Sequence, residues 1–161
     1  MGEKRRILKT LSNLYDGRPW TDLSILRVVG DLTAEQAAAK PLPHLHSVWE
    51  YVNHIIYWRT MAARALSGQA ARQEGDPDDF GQISDTSNAA WRGTLEGLER
   101  CQKVLMDAAS EACDGKLDAP ARDFDATNYE LIQGILQHDA YHLGQAMIVK
   151  KVVAPEALIV A

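Results

Sequence analysis

Thr127-Asn128-Tyr129-Glu130-Leu131-Ile132-Gln133-Gly134-Ile135-Leu136-Gln137-His138-Asp139-Ala140-Tyr141-His142-Leu143-Gly144-Gln145 is the stretch whose reading decides the fold. It opens on Thr127 with Glu130 three residues later, the spacing of a capping box, in which each side chain answers an orphan backbone N–H of the other. Beyond it Leu131, Ile135, His138, His142, Gln145 and Val149 recur at alternating four- and three-residue steps. That is the core seam of a bundle helix. The helix is predicted to reach Lys150 or Lys151, whose charges suit the negative end of its dipole. Ser47-Val48-Trp49-Glu50 repeats the capping signal, and Tyr51, His54, Trp58, Met61 and Ala65 form a comparable seam. This second helix is predicted to end at Ser67, with Gly68 free to take the left-handed conformation just beyond.

Working outward, Glu3 to Tyr15 reads as a helix with Ile7, Leu8, Leu11, Leu14 and Tyr15 on one face. Gly17-Arg18-Pro19 interrupts it, and a helical pattern resumes from Asp22 to about Val29. Thr33-Ala34-Glu35-Gln36 caps a short helix that Lys40-Pro41-Leu42-Pro43 cannot continue. Asp85 or Thr86 starts a further long helix ending near Ala112. Its Gly93 and Gly97 each weaken it by ~1 kcal/mol relative to alanine, for reasons of close packing or of simple tolerance. Residues 69–85 and 113–126 are polar connections, and strand alternation is absent. The tail Val152–Ala161, apolar around Pro155, has the bundle or a partner to pack on. The expectation is an all-α protein: a four-helix bundle with long crossover connections, one domain over residues 1–161.

With 161 residues, 46% hydrophobic and 24% charged, the chain can bury its own core. A net charge of −5 supplies no field for nucleic acid or an anionic membrane, so neither is expected as a partner. Lys4-Arg5-Arg6 reads as a solvated helix face. No apolar run nears the roughly 20 residues of a membrane span, and the polar start lacks a secretory h-region, so a cytoplasmic location is expected. Cys101 and Cys113 form neither a CxxC nor a disulfide framework. Trp20, Trp49, Trp58 and Trp91 are read as core.

The chemistry lies with the histidines. His138 and His142, at i and i+4, stack one turn apart on the seam of their helix, and His54 faces the same core from the other. Three neutral imidazoles in a core leave polar nitrogens to satisfy at ~1–3 kcal/mol each, whereas one divalent ion satisfies all three. The expected metal ligands are therefore His54, His138 and His142. His138-Asp139-Ala140-Tyr141-His142 looks superficially like the zinc-protease His-Glu-x-x-His, but Asp139 is one methylene too short and no downstream ligand follows. Asp139 is read instead as exposed or as an acceptor behind a histidine. His44 and His46 could rim the site or be plain surface residues. Glu50 is explained by its cap; Tyr141 and Gln145 suit either substrate binding or packing.

These residues resemble a family. Ser47-Val48-Trp49-Glu50-Tyr51-Val52-Asn53-His54-Ile55-Ile56-Tyr57-Trp58-Arg59 with Leu66-Ser67-Gly68 is similar to the second helix of the DinB-like (DinB/YfiT) superfamily. Gln137-His138-Asp139-Ala140-Tyr141-His142-Leu143-Gly144-Gln145 is similar to its fourth-helix signature. Pro19-Trp20 and the region around Trp91 extend the likeness. The resemblance implies a four-helix bundle, often a homodimer, with His54, His138 and His142 holding nickel, zinc or a similar divalent ion. It also implies a thiol-dependent transferase or isomerase in some relatives. One departure stands out: Asp79-Phe80 replaces a tryptophan-proline end in the 69–85 connection.

The function expected is a metal-dependent enzyme acting on a small molecule, by transfer of a low-molecular-weight thiol or by hydrolysis. The alternative is a stress-associated bundle whose metal is structural or sensory.

Overall fold

The computed structural model describes residues 2–155. They form α1 (Glu3–Tyr15), α2 (Ile25–Val29), α3 (Ala34–Ala38), α4 (Val48–Leu66), α5 (Asn88–Ala112) and α6 (Asn128–Val153). Among the described residues the only β pairing is an isolated bridge between Pro120 and Thr127. The long helices close a ring: α4 packs on α5 and α6, and α1 packs on the same two from the other side. Helices consecutive along the chain are thus not always neighbours, and the connections must cross the bundle. This is the all-α bundle with crossovers that the seams predict.

The caps explain where the elements begin. Ser47 and Thr127 each accept a hydrogen bond from the third helical N–H, and Glu50 and Glu130 reach back to the cap N–H, so both boxes close; Thr33 and Gln36 do the same for α3. Gly68 follows α4 at φ 73°, the left-handed conformation expected of it. For α5 the cap is Ser87, two residues later than Asp85. At its far end α6 outruns the expected stop and ends at Val153. Val152 and Val153 therefore belong to the helix rather than to a tail; residues 156–161 lie outside the described residues.

The core is continuous through all the helices, with Leu11, Ile25, Ile55, Leu98, Leu105, Ile132 and Leu143 almost wholly enclosed. Trp49 and Trp91 pack against each other there, and each indole N–H is satisfied, by Thr94 Oγ1 at 2.9 Å and by the Leu32 carbonyl at 3.1 Å. Trp20 departs from the reading as core: it is 101% exposed. It sits inside a turn closed by the Asp22 N–H donating to the Pro19 carbonyl at 3.0 Å, which carries its side chain outward. Lys150, which with Lys151 lies in the last turn of α6 where its charge suits the helix dipole, also makes a specific contact. It is buried, and its Nζ donates to Asp31 Oδ1 at 2.5 Å and to the Arg27 carbonyl, tying α6 to the end of α2. Cys101 is buried, Cys113 half-buried, and both are free. Among the described residues no helix is long and apolar enough to cross a membrane.

Candidate metal centre

The seams of α4 and α6 bring His54, His138 and His142 to one point. His54 Nε2 lies 2.9 Å from His138 Nε2 and 3.0 Å from His142 Nε2, and one ligand atom from each ring falls within 4.8 Å of the others. His54 is buried and the other two are half-buried. A single proton can bridge only one of these nitrogen pairs at a time, so the metal-free cluster leaves lone pairs facing one another. Nitrogens bound to a tetrahedral ion at about 2.0–2.1 Å stand roughly 3.3 Å apart, within the span seen here. The donor set fits a divalent cation.

Each imidazole is backed on its other nitrogen. His142 Nδ1 donates to Gln145 Oε1 at 2.6 Å, and Gln145 Nε2 donates in turn to the Tyr141 hydroxyl at 3.3 Å. His138 Nδ1 lies 3.4 Å from Asp139 Oδ1. His54 Nδ1 and Asp79 Oδ1 are 2.7 Å apart, within ion-pair distance but off line for a hydrogen bond, and neither atom has another hydrogen-bond partner. An acceptor at Nδ1 of His138 and His142, and the Asp79 carboxylate close to that of His54, favour the tautomer with the proton there, leaving each Nε2 lone pair turned inward. That is how metal-ligating histidines are commonly oriented. Burial pushes the His54 pKa down to about 4, with Asp79 opposing and the other two histidines adding to the fall. Burial and His138 likewise lower that of His142. Burial thus favours the uncharged form of both rings.

The wall is aromatic. Phe80 stacks on the His54 ring at 4.1 Å and on the His46 ring at 3.8 Å. Tyr51 approaches His142, and Trp58 approaches both His54 and His138. The loop carrying Asp79 and Phe80 is anchored by Asp76, which accepts from Arg64 Nη1 at 2.7 Å and from the Gln73 N–H at 2.6 Å. Gly81 follows at φ 65°, where an added Cβ would come within 3.2 Å of the Asn53 amide. A cavity of about 430 Å³ opens between this loop and α4, lined by Asn53, Tyr57, Arg64 and Gln82 among others, but none of the three histidines lines it. Its one cation, Arg64, is already paired.

The remaining expectations divide. Asp139 is not exposed but wholly buried, leaving its reading as an acceptor behind His138. Glu50 points to its cap and to Lys40, 2.7 Å away. Burial would raise its pKa, but Lys40 and the Ser47 N–H outweigh it and hold the group low. His46 rims the site through Phe80, whereas His44 is exposed. Tyr141 is 65% exposed and touches His142 edge-on. Sequence reasoning missed the buried pairing of Arg59 with Asp139, 2.7 Å away, whose signal was available: a cation one turn from Ile55 on the buried face of α4 requires a buried partner.

A family model described as the DinB superfamily matches residues 21–146. The chain belongs to the DinB superfamily. The DinB match starts after α1 and runs into the second half of α6, so it takes in all three histidines and the Asp79-Phe80 loop. No curated protein and no solved structure matches the chain.

Proposed function

We propose that this DinB-superfamily protein binds one divalent ion, nickel or zinc, through Nε2 of His54, His138 and His142, and uses it as a metal-dependent enzyme of thiol-transferase or hydrolase type. The observation that carries the reading is the convergence of three Nε2 atoms, each on a ring backed by an acceptor at Nδ1. Among the described residues no further histidine, cysteine or carboxylate joins the group. Three protein ligands favour a catalytic over a structural ion, because structural sites are usually closed by four. A divalent ion there would supply Lewis acidity and lower the pKa of a coordinated water or thiol. The protein's own residues orient the ligands and wall the site with Phe80, Trp58 and Tyr51, which limits water.

The thiol-transfer branch does not draw on the protein's own thiols. Burial pushes the Cys101 pKa up to about 11 and raises that of Cys113, so neither offers a ready thiolate. A sulfur nucleophile would have to come from a small cosubstrate. A second copy of the chain is the partner proposed for the bundle.

Elemental analysis of untagged protein, with metal titration of His54→Ala, His138→Ala and His142→Ala, tests the site. Each substitution is expected to abolish tight binding while His44→Ala keeps it; wild-type affinity in any of the three removes that residue. Small thiols titrated into the cobalt-loaded protein test the reaction class. A saturating sulfur-to-metal charge-transfer band supports thiol transfer, and a response to small anions alone favours hydrolysis. Indifference to every added ligand would mean a closed, structural site.

A further inference from the structure

We infer that Arg59 is a positioning residue for the metal centre, acting on His138 through Asp139. The inference rests on the metal reading above, but its test includes a readout on metal-free protein.

Arg59 and Asp139 are both 0% exposed. Arg59 Nε donates to Asp139 Oδ2 at 2.7 Å, and its Nη1 donates to Gln102 Oε1 at 2.5 Å. The guanidinium carbon stands 5.8 Å from the centroid of the Tyr15 ring. One side chain from α4 thus touches α6, α5 and α1. Its Nη2 is buried without a hydrogen-bond partner. For stability alone this is a poor arrangement, since a buried ion pair is often matched or bettered by well-packed apolar residues of the same volume. What an apolar pair could not do is present an oxygen to His138.

Neighbouring residues on a helix point about 100° apart, so nothing in α6 itself turns the Asp139 carboxylate towards the ring before it. Arg59 supplies the constraint. It holds Oδ2, and the planar carboxylate then places Oδ1 3.4 Å from His138 Nδ1. An acceptor there keeps the proton on Nδ1 and leaves the Nε2 lone pair directed at His54 and His142. Without Arg59 the carboxylate loses its anchor and His138 loses the contact that fixes its tautomer. Cys101, beside the pair, does not substitute: its sulfur is engaged with the Leu98 carbonyl at 3.1 Å.

The test uses Asp139→Asn, which keeps the side-chain volume, together with Arg59→Met and Arg59→Lys. Zinc affinity, read by competition with a chelator, is expected to fall about 10- to 100-fold in Asp139→Asn and Arg59→Met, with Arg59→Lys recovering part of the loss. Nitrogen-15 NMR of the metal-free protein reports the His138 tautomer, which a merely structural role would not move. The proton is expected on Nδ1 in the wild type and shifted towards Nε2 in Asp139→Asn and Arg59→Met. Folded variants with unchanged affinity and tautomer would overturn the inference, as would a wild-type His138 protonated on Nε2. Should Arg59→Met fail to fold, Asp139→Asn carries both readouts. If the wild type binds no zinc, the metal reading falls while the tautomer still decides the role of Arg59.

Discussion

At the scale of single residues, helical spacing exposed the histidines but not what stands behind them. His138 and His142 were legible because their four-residue separation alone puts them on one face, and His54 because it falls on the seam of a well-capped helix. Asp79 and Phe80 were visible only as a departure in a connection, since a loop's path depends on contacts made far away, here the Arg64–Asp76 pair. Asp79 matters because it is the polar atom set against His54 Nδ1. Asp79→Ala is expected to weaken zinc binding roughly tenfold with little change in helix content, the usual scale for losing a partner behind a ligand; unchanged affinity in a competition titration would exclude the role. A pH dependence follows from the same cluster. His54 is held down to about 4 by burial, against an ordinary value of 6.5. The unfolded chain therefore binds its proton more readily than the folded one, and stability rises with pH wherever that difference operates. Metal-free protein should be fully stable in this respect above about pH 6.5 and lose stability progressively between 6.5 and 4. Urea midpoints of chelator-treated protein should be lower at pH 5 than at pH 7.5, and His54→Gln should flatten the slope. A flat wild-type profile over that range would contradict the burial argument.

At the scale of elements, the starts were more legible than the ends or the faces. A capping box is local, with both partners within three residues, so Thr33, Ser47 and Thr127 could be read directly from the chain. The end of α6 has no such signal, and helix formation carried on past Lys151 while Lys150 turned inward to Asp31 on a remote segment. Trp20 misled because its size suggests burial, and only the turn around it explains its exposure. The two α5 glycines posed a question the structure answers at Gly93. A Cβ there would meet nothing within 4 Å, whereas at Gly97 it would approach Ile56 at 3.9 Å, an ordinary contact. Neither is needed for close approach of helices. Gly93→Ala should therefore stabilise the protein by about 1 kcal/mol through helix propensity, raising the melting temperature by roughly 2–4 °C for a chain of this size. A lower melting temperature would show that a backbone constraint had been overlooked.

At the scale of the whole molecule, the three-histidine cluster and the core are separable, and that separation governs what chelation of the proposed ion should do to the fold. The ring of α1, α5, α4 and α6 is held by a continuous apolar core that needs none of the three histidines as a hydrophobic member. A chain of 161 residues also buries enough surface to fold without a metal staple. Against this stands the cost of bringing three ring nitrogens to one point, which falls on the α4–α6 contact alone. The core wins, since the remaining contacts of α4 and α6 with α5 and α1 do not pass through the cluster. Chelated protein is accordingly expected to keep its helical far-ultraviolet circular dichroism at room temperature and to melt cooperatively. Adding zinc at a thousand times its dissociation constant should then stabilise the folded state by about 4 kcal/mol through linkage, equivalent to a rise of roughly 8–16 °C in melting temperature. The gain should vanish in His142→Ala, whose apo-protein should nonetheless remain folded. Loss of most helical signal on chelation would mean that the ion is part of the core after all, and the structural alternative would become the better account of this site.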